Sequence, residues 1–209
     1  MAPLNRISLW RVAAGTTAVG ATLALSACGG PDMEELRTGP VPDEAPELDE
    51  SELPREPADD APLSHSIEWN LVKEVNTYAR AFDPESKADC PDADGTQDTE
   101  ITCTVVYHGV EAEWDVSISE HGFVASYEME PAQGKHIARD VAEDVVRADT
   151  GAEAVRCDMD EVVLVDLETP EEEWATCVWA TEDDHGTYVI MPKGTHEFGA
   201  QGFWAVPKE

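Results

Sequence analysis

From Ile101 onward the apolar side chains fall on every second residue: Ile101, Cys103, Val105 and Tyr107, then Val110, Ala112, Trp114, Val116 and Ile118, then Phe123, Ala125, Tyr127 and Met129. A period of two sustained over three runs is the pattern of half-buried β-strands, and it leaves no place for a helix in that stretch. The separators His108-Gly109 and His121-Gly122 are short glycine turns suited to hairpins. Ahead of the strands, Ile67, Leu71, Val75, Tyr78 and Phe82 are spaced by four, four, three and four residues, one face of a 3.6-residue period. Ser64 or Ser66 is the expected cap of that helix, and Asp83-Pro84 its stop. Residues 67–131 therefore read as a helix covering the apolar face of a three-strand antiparallel meander.

The same order recurs in residues 132–209. Ile137, Val141, Val145 and Ala148 line a second helix that Gly151 terminates. There follow Val155 to Cys157, an apolar run from Val162 to Leu167, and a strand from Trp174 to Ala180. His185-Gly186 is the expected turn into Tyr188 to Met191, with Phe203 to Val206 as a last edge strand. The expected fold class is α+β: two tandem units, each one helix packed on a small antiparallel β-meander with a local disulfide. Units of this size are marginal alone, so they are expected to pack together.

The N-terminus reads as a targeting segment. Arg6 and Arg11 precede a charge-free run from Val12 to Leu25, whose fourteen residues are too few to span a bilayer as a helix. The run ends in Leu25-Ser26-Ala27-Cys28, which resembles the lipobox of bacterial lipoproteins. That resemblance implies a signal peptide over residues 1–27, lipidation of Cys28, and two or three acyl chains, enough for stable anchoring. The arginines are not paired, which favours the general secretory route over twin-arginine export. Residues 28–66 then form a stalk: from Gly29 to Ser66 there are 12 acidic residues, 2 basic ones and 7 prolines. Its scattered apolar residues cannot offset the entropy of ordering, so no fold is expected there.

Besides Cys28 there are four cysteines, Cys90, Cys103, Cys157 and Cys177. An even number in an exported chain suggests disulfides, with three possible connectivities. Local pairing, Cys90 with Cys103 and Cys157 with Cys177, is favoured because the same pattern surrounds each pair. Zinc is the rival, but no Cys-x-x-Cys is present.

The run Cys90-Pro91, Asp94-Gly95-Thr96, Thr102-Cys103-Thr104-Val105 and Gly109, with the strand to Ile118, resembles the small lipoprotein module known as domain of unknown function 4333. The stretch Val145 to Cys157 is similar to that module's helix end and first cysteine, and Cys177-Val178 to its second; Asp158 stands where the module has proline. The resemblance implies an actinobacterial-type envelope protein and brings no catalytic residues with it.

With 45 acidic residues against 13 basic ones, the net charge of −32 argues against nucleic acid as a partner. There is no Gly-x-Ser-x-Gly, His-Glu-x-x-His or phosphate-binding glycine loop, so no catalytic residue, cofactor or metal ligand is assigned and an enzyme is not expected. His108, His121 and His185 each precede a glycine and read as turn residues. The Asp92-Ala93-Asp94-Gly95 loop has the acids of an EF-hand but lacks its first and twelfth ligands, and the clusters Asp158-Asp160-Glu161, Glu171–Glu173 and Glu182–Asp184 read as solvated charge. The acids that stand out are Glu111, Glu113 and Asp115, on the face opposite Ala112, Trp114 and Val116, with Glu128 and Glu130 expected on that same outward face. Like charges aligned on a sheet cost stability unless solvent or a cationic partner screens them.

The function these readings lead to is a lipoprotein on the outer face of the cytoplasmic membrane, anchored at Cys28. It acts as a binding or scaffolding module for a basic protein or envelope polymer. The alternatives are an inhibitor of an extracellular enzyme, since the tandem layout looks broadly like that of β-lactamase inhibitory proteins, or an enzyme accessory with an acidic cleft.

Overall fold

The computed structural model describes residues 36–120, 125–166, 174–181, 183–192 and 202–208. Signal segment and Cys28 lie outside them, as do the turn at His121-Gly122, Phe123, Leu167 and the acids 171–173. Among the described residues the architecture is α+β and mostly strands, with two helices, three antiparallel sheets and two disulfides.

Helix α1 (Leu63–Ala79) buries Ile67, Leu71, Val75 and Tyr78, the face set by the apolar spacing. Its ends differ from expectation. Pro62 stands at the N-cap with no side-chain cap, so Ser64 and Ser66 lie inside the helix. Arg80 closes it in a left-handed conformation, leaving Phe82 beyond it. Asp83 is not a simple breaker. Buried at 3% exposure, it accepts hydrogen bonds from the Glu85 and His108 backbone N–H groups, and its own N–H donates to Asn76.

The first sheet has the order β1-β2-β3-β4, built from Lys87–Asp89, Thr99–Tyr107, Val110–Glu120 and Ala125–Pro131. The three expected strands are present, and a fourth, β1, is too short to carry a period. Tyr107 faces Val110 across a two-residue turn in which His108 (φ 46°) and Gly109 (φ 76°) are both left-handed. This is the geometry whose twist matches a hairpin.

Ile137 is not helical. It lies in β5 (Lys135–Ala138), which pairs with β7 (Val162–Val165) as a two-stranded ribbon, and helix α2 begins only at Arg139 and runs to Thr150. The apolar run Val162–Val165 offers β5 an antiparallel partner and so keeps it extended. Gly151 is the left-handed residue after α2, as expected from its position.

The second sheet has the order β6-β8-β9-β10, built from Ala154–Cys157, Ala175–Ala180, His185–Pro192 and Phe203–Pro207. His185-Gly186 is not a turn, because both residues pair in β9 with Ala180 and Trp179. A Cβ on Gly186 would lie 2.8 Å from the Trp179 indole nitrogen, so the glycine makes room for that ring within the strand. The reversal falls earlier, where Thr181 donates its backbone N–H to the Asp184 carbonyl. Both cysteine pairs are local: Cys90–Cys103 ties the chain end of β1 to β2, and Cys157–Cys177 ties β6 to β8. A single apolar core runs from α1 and Trp114 through Ile137 to α2, Tyr188 and Phe203.

The described part of the expected stalk is held against this body. Arg37 and Val155 exchange backbone hydrogen bonds of 2.9 and 3.3 Å, and the Arg37 guanidinium grips Asp144 at 3.0 and 3.3 Å. Arg147, 2% exposed, donates to the Gly39 and Pro40 carbonyls at 2.6 and 3.0 Å. Further along, the Pro46 carbonyl accepts from Arg80, Leu48 is buried, Glu50 pairs with Lys73, and the Pro54 carbonyl accepts from the Trp69 indole. Composition argued against order because it averages over the segment, whereas order here comes from a few anchored backbone carbonyls and one buried leucine.

Candidate functional site

The outward face of the first sheet follows from its register. Asp115 lies opposite Thr102 and Glu130, Ser117 opposite Glu100 and Glu128, Glu113 opposite Thr104, and Glu111 opposite Val106. Thr104 in turn faces Asp89, and Val106 faces Lys87. All five acids singled out in the sequence, Glu111, Glu113, Asp115, Glu128 and Glu130, are exposed on this one face. Asp89 and Glu100 join them, so seven carboxylates and one lysine share the face.

The opposite face carries Ala112, Trp114, Val116 and Ile118, each at most 2% exposed. Burial of that row fixes which way the acids point, since a shift of one residue would exchange the faces. The acids are lightly supported. Thr102 donates its hydroxyl to Asp115 at 3.1 Å, and Gln133 brackets Glu113 by accepting from its N–H and donating to its carboxylate. Asp115 and Glu130 stand directly opposite one another, an arrangement that costs stability in isolation.

A second constellation was not legible in the sequence. A cleft of about 400 Å³ is lined by Arg37, His108, Arg139, Asp140, Glu143, Arg156 and Glu161 among others. These come from five separate segments, and a local spacing links only Arg139, Asp140 and Glu143, all on α2. Arg139 donates to the Met159 carbonyl, and its Nε lies 4.0 Å from Glu143. Glu143 is buried and accepts the Cys157 N–H at 3.0 Å. Burial pushes its carboxyl above the ordinary range, against the Cys157 N–H and the nearby arginines. Guanidiniums and carboxylates interleaved around a water-accessible cleft suit a polar ligand. None of the described residues that line it is a serine, threonine or cysteine.

The raised Glu143 carboxyl has a definite sign in stability. The folded chain takes up a proton that the unfolded chain has already released, so stability falls as pH rises from the ordinary carboxylate range through the raised value. Glu143→Gln is therefore expected to be more resistant to urea than the parent at pH 7, with the gap closing as pH falls into the ordinary carboxylate range. Urea midpoints across that range check this, and parallel curves would contradict it.

The loop after Cys90 spends its acids on itself. Asp94 accepts from both the N–H and the hydroxyl of Thr96, and these bonds hold its carboxyl below the ordinary range. Among the described residues, no three His, Cys, Asp or Glu side chains converge as a metal site. Also among them, no helix is long and apolar enough to cross a membrane. No family model, curated protein or solved structure matches the chain.

Proposed function

We propose that the chain is an extracytoplasmic lipoprotein, anchored through Cys28, whose folded body is a binding or scaffolding module for a basic protein or envelope polymer. One observation carries the binding half of this reading: seven carboxylates and a single lysine share one exposed sheet face backed by a fully packed apolar row. A cationic partner relieves the repulsion that the face otherwise sustains. The anchor half is supported by Leu25-Ser26-Ala27-Cys28 directly after a charge-free apolar run, and by the likeness of the Cys90 to Ile118 region to an envelope lipoprotein module.

The body reads as a tandem duplication, a reading supported by the shared sheet order. In each half a helix precedes a short edge strand, a cysteine at or just past the end of that strand bonds its neighbour in the sheet, and two further strands complete the sheet. The β5–β7 ribbon is the departure, an excursion between Cys157 and Cys177.

A photoreactive residue at Ser117, in the middle of the acidic face, tests the binding half in intact cells. A discrete adduct is expected from Ser117 and not from Thr176 on the other sheet. Identical adducts from both positions, or none from either, would defeat it. For the anchor, the mature chain is expected to begin at a Cys28 carrying a diacylglyceryl mass, and Cys28→Ser to release the protein from membranes. An unmodified N-terminal peptide would sink that half.

A further inference from the structure

We propose that the outward face of the β6-β8-β9-β10 sheet, together with the arginine cleft at its β6 edge, is the surface this protein lays against the membrane. The proposal rests on the reading of Cys28 as the lipid-bearing residue.

The tether is shorter than the sequence implies. Arg37 is fixed to Val155 of β6 and to Asp144 of α2, and the buried Arg147 holds the next turn of chain through the Gly39 and Pro40 carbonyls. Only the eight residues 29–36 separate Cys28 from that fixed point. Whatever their conformation, they span at most about 30 Å. With the strap over residues 37–54 released, the free chain up to α1 would reach about 120 Å. Held by the strap, the β6 edge cannot stray far from the bilayer.

The two sheets differ sharply in charge. The strands of the first sheet contain eight carboxylates: Asp89, Glu100, Glu111, Glu113, Asp115, Glu120, Glu128 and Glu130. The strands of the second contain none, and one arginine. By register its outward face carries Arg156, Thr176, Val178, Thr187, Val189 and Val206; Val178 is exposed whereas Val189 is buried, so the open part of the face is its β6–β8 side. Next to Arg156, the cleft adds Arg37 and Arg139, whose charge offsets the acids beside them. Anionic headgroups repel carboxylates and attract guanidiniums within a Debye length of about 8 Å. A strongly acidic body confined near such a surface turns toward it the sheet whose strands carry an arginine and no carboxylate.

The test is hydrogen exchange of the full lipidated chain on vesicles of phosphatidylglycerol and phosphatidylethanolamine, compared with the same chain in neutral detergent. Peptides covering 154–162 and 175–180 are expected to exchange at least threefold more slowly on vesicles, with 111–120 unchanged. Arg147→Met is expected to speed exchange across 37–48 about tenfold, to abolish the slowing at 154–162, and to leave β2 and β3 untouched. Arg37→Ala, at a partly exposed side chain, does the same should the buried substitution disturb folding. Slowing at 111–120 instead, a vesicle-bound chain with no slowing, or slowing that persists after strap release would each overturn the proposal alone. An unmodified Cys28 would overturn both the proposal and the anchor reading beneath it.

Discussion

Removal of both disulfides is expected to abolish cooperative folding at 37 °C. The bridges close loops with sequence separations of 13 and 20 residues. In the chain-entropy account each contributes about 3 kcal/mol, so the pair supplies about 6. Total stabilities of single domains are about 5–15 kcal/mol, which makes that loss decisive. Location adds to the effect. Strands β1 and β6 are three and four residues long and form the edges of their sheets, so few backbone bonds hold them without the bridge. Cys157→Ala/Cys177→Ala is expected to lower the unfolding free energy by about 3 kcal/mol in urea, and the four-cysteine variant to lose its sigmoidal transition. A reduced chain that melts like the oxidised one would contradict this.

The second large effect lies at Trp114. Its side chain is 1% exposed in the middle of β3, within the core shared with α1, and Lys135 sits with its ammonium 5.7 Å from the ring centroid. Trp114→Ala opens a cavity that the flanking strands cannot collapse into, at a cost of about 4 kcal/mol. Trp114→Phe is the informative companion. The indole N–H has no hydrogen-bond partner among the described residues, so phenylalanine removes a buried unsatisfied donor together with part of the ring. It is expected to cost only about 1–2 kcal/mol. Equal losses for the two substitutions, measured by urea unfolding, would mean that the indole nitrogen matters and that this account of the core is wrong.

What the sequence disclosed and withheld divides along physical lines. Strands β2 to β4 were legible because a period of two encodes the element and its buried face together, and the orientation of Glu111, Glu113 and Asp115 came with it. Gly151 was legible because a left-handed helix end selects glycine. Ile137 was misread because its helical spacing to Val141 competes with pairing to Val163, a partner 26 residues away that no local window contains. Gly186 was misread because an in-strand glycine beneath a tryptophan looks, in one dimension, like a turn. Binding of residues 37–54 to the body depends on Arg147 and Trp69 finding backbone carbonyls, a contact without compositional trace. The arginine cleft was out of reach for the same reason, since Arg37, Arg139 and Arg156 meet only after folding. One signal of the second sheet does stand in the sequence: its strands from Ala154 onward carry no acid in a chain with 45 of them.

The central claim is that the acidic sheet face binds a specific cationic partner. Its most direct test is crosslinked capture from cell envelopes by the full oxidised chain, washed at about 0.5 M salt, where the screening length falls to roughly 4 Å. The parent chain is expected to retain one saturable partner, and Glu111→Gln/Glu113→Gln/Asp115→Asn to lose it while its unfolding midpoint stays level or rises. Capture seen only at low salt, or equal capture by the parent and the substituted chain, would contradict the claim and leave the face a solvated polyanion.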